Sequence, residues 1–333
     1  MRKNLIPSHG IPMFVDDTRD LLGKHDTNFD SWYIISNWEY EGHQYGFEWH
    51  QQTLGDSFVT CEFFLMDEGR NIYRNFALDG PVDYENYGIA YDKLHVYTPS
   101  GGLTGTREEM YLKVEKEDCK LDITVRPGDK VLHNGTTGML YFLGSDSYQY
   151  AFPLMEIEGT MTIAGKTIPI QNTTAWFDRQ WGLEPNENAI SNASAGLRMC
   201  WTWLGIVLNK GKDGVVSLWD SYASEGHSSF CTVLQPNGIE YNVACEVTYE
   251  GLWVSKKTGN TYPHSVNFKC DTIGMDLTAV FLPEDPEFAR DSIPIHGCQS
   301  LCKVTGTFNG QQIDQYQILE LINDVCGDSE RED

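Results

Sequence analysis

From Ser31 onward, apolar and polar positions alternate with a period of two, in segments rich in aromatic and β-branched residues: SWYIISNWEY, YGFEWHQQTL, FVTCEFFLMD, EMYLKVEKED and KLDITVRP. This period sends successive side chains to opposite faces of a strand, so the segments predict strands with one apolar face. The connections DEGRN, KEDCK, AGK, KGKDG, PNG and FNG carry turn chemistry, with Gly or Asn supplying the positive φ of tight hairpins. Sequential antiparallel hairpins follow, and with them an all-β architecture of sandwiches or barrels. Helical periodicity is almost absent. DDTRDLLGKH near the start and DPEFAR near the end are the two short helix candidates.

The polar, Asn-rich stretch GLEPNENAISNASAG, Gly182 to Gly196, separates two strand-dense regions. It predicts two domains, residues 1–183 and 184–333, a division that 333 residues accommodate comfortably. On either side lies a similar hairpin, EIEGTMTIAGKTIPI at Glu156 to Ile170 and CKVTGTFNGQQIDQY at Cys302 to Tyr316. Duplication would produce this echo, and so would the common grammar of hairpins.

Charge narrows the partners. With 48 acidic against 24 basic residues, a formal charge of −24 repels a phosphate backbone and an anionic lipid surface alike, so no nucleic-acid partner is expected. No run of about 18 apolar residues predicts a membrane span, and the start MRKNLIPSHGIPMF lacks the apolar core of a secretory signal, so the expected compartment is cytoplasmic. Nine scattered cysteines, the nearest pair being Cys298 and Cys302, predict reduced and mostly buried thiols. The N-x-S/T triplets at Asn134, Asn172 and Asn192 are chance occurrences in such a chain. A G-x-S-x-G elbow, a Walker loop and an H-E-x-x-H helix are all missing, and GGLTGT at Gly101 to Thr106 has no helix after it to cradle a phosphate. No cofactor is expected. His25, His43, His50, His95, His133, His227, His264 and His296 have no compact ligand spacing, so a metal site would require convergence in the folded chain.

The densest chemistry lies in Ala175-Trp176-Phe177-Asp178-Arg179-Gln180-Trp181-Gly182. Trp176 and Asp178 on one strand face would set a carboxyl beside an indole, where desolvation raises its pKa and keeps it protonated. Arg179 opposes this if it reaches Asp178, although alternation points it to the other face; a buried structural Asp–Arg pair is the competing reading. Glu48 and His50, two apart in YGFEWHQQTL, share a face, where the carboxylate could orient the imidazole as a general base or both could form a solvated strand face. His95 in KLHVY occupies a similar strand position, with a satisfied structural role as the simpler alternative. Trp32, Trp49, Trp176, Trp181, Trp201 and Trp203 offer π-faces to a developing cation, or fill cores.

The octapeptide resembles the Trp-Phe-Asp-(His/Arg)-Gln-Trp-Gly signature of the AttH-like and carotenoid 1,2-hydratase superfamily, a lipocalin-like group that also includes fungal Diels-Alderases. Further segments are similar to the family in the same order: Asp30-Ser31-Trp32-Tyr33, Tyr150-Ala151-Phe152-Pro153, Trp201-Thr202-Trp203-Leu204, Trp253-Val254-Ser255 with Thr258-Gly259 and Tyr262-Pro263, and Ile318-Leu319-Glu320-Leu321. The resemblance covers most of the chain and implies two lipocalin-like antiparallel β-barrel or sandwich domains in tandem around an apolar pocket. It also implies a cofactor-independent lyase or isomerase, a hydratase, dehydratase or cyclase acting on a bulky unsaturated isoprenoid, polyketide or phenolic compound. The acid of the carotenoid hydratases' Tyr-x-Asp motif aligns with Asp178. Their upstream His-x-Trp pair falls near Tyr148-Gln149-Tyr150, and Gly297-Cys298-Gln299-Ser300 replaces the relatives' Tyr-Trp-Glu-Gly; both depart from the pattern. The expected catalytic set is Asp178 as acid with Tyr148, Tyr150 or His50 handling water or the second proton. Trp32, Trp49, His95, Trp176, Trp181, Trp201 and Trp203 would bind a hydrophobic small molecule. A non-catalytic carrier is the rival from another class, and hydrolysis is disfavoured because no nucleophile motif is present.

Overall fold

The computed structural model of the chain describes residues 15–83, 85–142, 145–182, 200–223, 226–293 and 295–326. Beyond Gly182, the stretch expected to separate two domains lies outside the described residues, as does the Asn192 triplet. Period-two alternation is expressed directly: Met110–Lys116 and Cys119–Arg126 bury every second residue. Every described strand pair is antiparallel, and strands assemble into two large sheets with a separate two-stranded ribbon.

The two sheets belong to two compact units, one within Met1–Leu140 and Asp146–Glu184, the other within Tyr141–Ser145 and Pro185–Asp333. In the first unit the sheet runs Ile72–Ala77, Phe58–Asp67, His43–Leu54, Phe29–Tyr40, Thr174–Gly182, Ser145–Ile163, Cys119–Arg126, Met110–Lys116 and onward to Leu94–Thr98. Pairing of Phe29–Tyr40 with Thr174–Gly182 brings the unit's first strand beside its last. One face gathers Trp32, Ile34, Phe47, Trp49 and Phe63 with Leu112, Leu121 and Ile123 into a single apolar cluster. Strands so far apart in the sheet share a cluster only if the sheet curls over on itself. Gln51 Nε2 accordingly donates to the Tyr97 carbonyl at 3.1 Å, from one end of the strand order to the other. The second unit repeats the arrangement with ten strands and a core of Leu204, Ile206, Leu218, Phe268, Leu277, Val304 and Leu319.

Both helix candidates adopt other structures. Residues 16–25 form a turn in which Asp16 accepts from the backbone N–H groups of Thr18 and Arg19 and closes one i→i−4 bond with Asp20; the local side-chain cap holds a turn without propagating a helix. In DPEFAR, Glu287–Phe288 is a short strand. Ser255 and Thr258 donate to the two Glu287 carboxylate oxygens, each at 2.7 Å, which ties the segment to the Trp253-Val254-Ser255 motif. Among the described residues there is no α-helix, only four 3-10 turns, and no helix long and apolar enough to cross a membrane. All nine cysteines are buried thiols outside any disulfide, and burial pushes the Cys298 and Cys302 thiols up.

The two echoing hairpins use one device. Gly159 (φ 141°) and Gly306 (φ 138°) cross their neighbouring strands where a Cβ would stand 2.2 Å from the Asp122 carbonyl oxygen and 2.0 Å from that of Asp276. Each hairpin then closes on two residues of positive φ, Ala164-Gly165 and Asn309-Gly310, as a type I′ turn requires. The Gly306→Ala variant is expected to lose at least about 1–3 kcal/mol, the cost of a non-glycine residue in this conformation, which chemical denaturation would read.

Candidate functional site

The strand Thr174–Gly182 buries both of its faces. Its odd positions, Ala175, Phe177, Arg179 and Trp181, point to the apolar side that holds the unit's core, and Trp176, Asp178 and Gln180 point to the other. Arg179 is fully buried and paired with Asp30 at 2.5 Å. Its guanidinium lies 3.9 Å from the Trp32 ring centroid and donates to the carbonyls of Asp20, Gly23, Ser31 and Gln180. Trp181 is sandwiched by ring stacking with His25 (4.2 Å) and Tyr148 (5.8 Å). Arg179 therefore locks the 20–31 segment to the sheet and is fully engaged on the face opposite Asp178.

On that other face Asp178 is 4 % exposed. The Trp176 indole N–H donates to its Oδ1 at 2.8 Å. Burial pushes the Asp178 carboxyl up to about 8, against which the indole hydrogen bond pulls down. A pKa in that range favours the neutral carboxylic acid at neutral pH. Because Oδ1 accepts from the indole, the acidic proton belongs on Oδ2. Removing the indole donor with Trp176→Phe takes away the one contribution that favours the carboxylate, so the Asp178 pKa should move further upward, as a shift of its carboxyl resonance with pH would show.

Register assembles the rest of the face. Asp178 stands directly opposite Tyr33, Tyr33 opposite His50, and His50 opposite Glu62, so four side chains from four neighbouring strands form one row. Tyr33 meets the His50 ring edge-on, 5.0 Å between centroids. His50 Nδ1 lies 3.2 Å from Glu62 Oε2 and its Nε2 lies 3.1 Å from Ser31 Oγ. Glu48 joins from two residues along the same strand; its carboxylate, that of Glu62 and a His50 nitrogen converge within 4.8 Å. Trp176, Ile35 and Phe64 give the adjoining part of the face an apolar character.

Of the residues expected from sequence, Asp178, His50 and Trp176 share this face. Tyr148, Tyr150, Trp32, Trp49 and Trp181 are on the core side: Tyr150 is fully buried there, its hydroxyl 3.4 Å from the Asp17 carbonyl and its pKa pushed well up by burial. Those five do not join the row. His95 sits half-buried against Tyr97 in the strand Leu94–Thr98, where burial lowers its pKa. Trp201 and Trp203 lie in the second unit, their indole N–H groups donating to Glu320 and Ser217. Glu62 had no motif to announce it, because its place opposite His50 depends on strand register. Tyr33 carried one signal, its place in the Asp30-Ser31-Trp32-Tyr33 match. The second unit also has a cleft of about 640 Å³ lined by Val233, Tyr241, Val243, Ile273 and Phe308. It contains none of the residues of the Asp178 row.

Comparison with known proteins agrees with the fold. The chain is 23% identical over 242 residues to the dehydratase asqC of Emericella nidulans, covering 65% of each. It is 22% identical over 214 residues to the kievitone hydratase of Fusarium solani subsp. phaseoli, covering 62% of this chain and 57% of that one. It thus spans less than two thirds of the length of either relative. Among solved structures, an AttH protein of Nitrosomonas europaea superposes with a TM-score of 0.77 at 17% identity, covering 96% of this chain and all of that one. Kievitone hydratase of Nectria haematococca gives 0.76 at 17% identity, covering 95% and 94%. The curled two-sheet architecture is therefore that of the AttH fold. With the AttH-like family model matching residues 68–312, well over half of the sequence, the chain belongs to the AttH-like family.

Proposed function

We propose that this protein is a cofactor-independent hydratase or dehydratase of a bulky, unsaturated hydrophobic metabolite, with Asp178 as its proton donor. The observation that carries the reading is the Asp178 carboxyl, buried and held by the Trp176 indole with a pKa raised to about 8. A neutral acid of that kind can protonate an alkene carbon, or a hydroxyl that then departs as water. The relatives' names, a dehydratase and a hydratase, support the same class.

In the dehydrating direction, Oδ2 of Asp178 gives its proton to the leaving hydroxyl, the C–O bond breaks, and a base removes a proton from the neighbouring carbon. His50, oriented by Glu62 and Ser31, is suited to that second role. Two strand spacings separate Asp178 from His50 along the sheet, about 9–10 Å, with Tyr33 between them. Trp176, Ile35 and Phe64 supply the apolar contacts that a hydrophobic metabolite needs. Hydration is the same path reversed.

The test is incubation of purified protein with unsaturated isoprenoid, polyketide and phenolic compounds, read by mass spectrometry. A product differing by one water supports the reading, an isomer of equal mass redirects it to cyclisation, and tight binding with no conversion across the panel replaces it with a carrier.

A further inference from the structure

Glu48, His50 and Glu62 have a capacity that is an alternative to proton transfer, because a cation on His50 Nδ1 with the Nε2 proton held by Ser31 leaves no ring nitrogen to act as a base. Strand alternation sends Glu48 and His50 to one face, and register sets Glu62 directly across from His50. Their three ligand atoms, two carboxylate oxygens and one imidazole nitrogen, lie within 4.8 Å of one another, and all three residues are buried. Three N/O donors bound to one cation at about 2.0–2.2 Å stand at most about 4.4 Å apart, so small side-chain rotations would close the set.

Two further observations point to a ligand. Ser31 Oγ is 3.1 Å from His50 Nε2, a contact that can hold the Nε2 proton and leave the Nδ1 lone pair facing the carboxylates, as outer partners of metal-binding histidines do. Thr60, on the same face two residues from Glu62, is fully buried, and among the described residues its hydroxyl has no hydrogen-bond partner, so this part of the face has an unmet polar group. We propose that Glu48, His50 and Glu62 bind one divalent transition-metal cation. Two carboxylates and a neutral imidazole carry a charge of −2, which such a cation neutralises, and a donor set of N and O without sulfur suits Zn²⁺ or Mn²⁺ over soft cations. The site stands on these three residues and does not depend on Asp178 being an acid.

The test is calorimetric titration of chelator-treated full-length protein with ZnCl₂ and, separately, MnCl₂. One saturable site per chain is expected for at least one of the two cations, weakened at least tenfold in Glu62→Gln and in His50→Ala, weakened several-fold in Ser31→Ala and kept in Asp178→Asn. No saturable binding of either cation overturns the proposal, as does equal binding in Glu62→Gln and His50→Ala, which would assign the cation to the acidic surface. Zinc-edge X-ray absorption of the wild-type protein decides independently of whether the variants fold: an N/O shell is expected, and a sulfur shell would place zinc on the cysteines instead.

Discussion

Replacing Asp178 with asparagine is expected to lower turnover by about 10²–10⁴-fold, the range supplied by a positioned general acid, while substrate still binds. The substitution keeps the shape of the side chain and an acceptor for the Trp176 indole, so the loss isolates the proton. The wild-type rate carries a second mark. As the proposed acid, Asp178 would act in its protonated form, so kcat/KM should fall as pH rises through about 8. Stability responds to the same group. Its pKa is raised from 3.8 in the unfolded chain to about 8 in the fold, so between those values the folded state holds a proton that the unfolded state has released. Stability therefore falls with rising pH across that window, by about 1.4 kcal/mol per unit from this group alone, and burial of Asp178 is most costly above pH 8. In Asp178→Asn this contribution disappears. The variant should gain stability relative to wild type as pH rises from 4 to 8, while losing activity, as expected where a strained group is kept for function. Denaturation midpoints of both proteins across that range check the sign.

Arg179→Ala should destabilise the first unit by about 3–5 kcal/mol, because it leaves the Asp30 carboxylate buried without its partner. More than the ion pair is lost. The carbonyls of Asp20, Gly23, Ser31 and Gln180 each lose a donor, and Trp32 loses the cation over its ring. Arg179→Lys should not restore stability, since an ammonium cannot reproduce the planar fork that reaches several acceptors at once. Thermal unfolding of both variants at neutral pH measures the effect. Adjacent residues of one motif thus have separable roles: Asp178→Asn is expected to spare folding at neutral pH and remove turnover, whereas Arg179→Ala acts through the fold.

The two faces were legible in the sequence, because strand alternation sends Trp176 and Asp178 to one and Arg179 to the other, but the competing Asp178–Arg179 pair stayed open until the structure paired Arg179 with Asp30. The strands of SWYIISNWEY, YGFEWHQQTL, FVTCEFFLMD, EMYLKVEKED and KLDITVRP were legible for the same reason, whereas Ile72–Ala77 and the glycine-rich Gly101–Gly105 lack that alternation of large apolar residues. The two short polar segments near the chain's ends read as helices because local acidic and apolar spacing imitates an N-terminal turn; in the fold Asp16 caps a turn and Glu287 is held by Ser255 and Thr258. The partners of His50 were half legible. Glu48 lies two residues away on one strand, whereas Tyr33 and Glu62 arrive from neighbouring strands whose register is set by the turns at Glu41-Gly42 and Gly55-Asp56-Ser57. Tryptophan number was a poor guide to position: Trp32, Trp49 and Trp181 fill or line the core, and Trp176 is the member of the first unit's set that touches Asp178.

The claim on which the account rests is that Asp178 is a neutral acid at physiological pH, and ¹³C NMR of aspartate-labelled protein tests it without requiring the substrate. A carboxyl resonance present in wild type and missing from Asp178→Asn should titrate near pH 8. If that resonance titrates below pH 5, Asp178 is a carboxylate in the working protein, and the acid role assigned to it is contradicted.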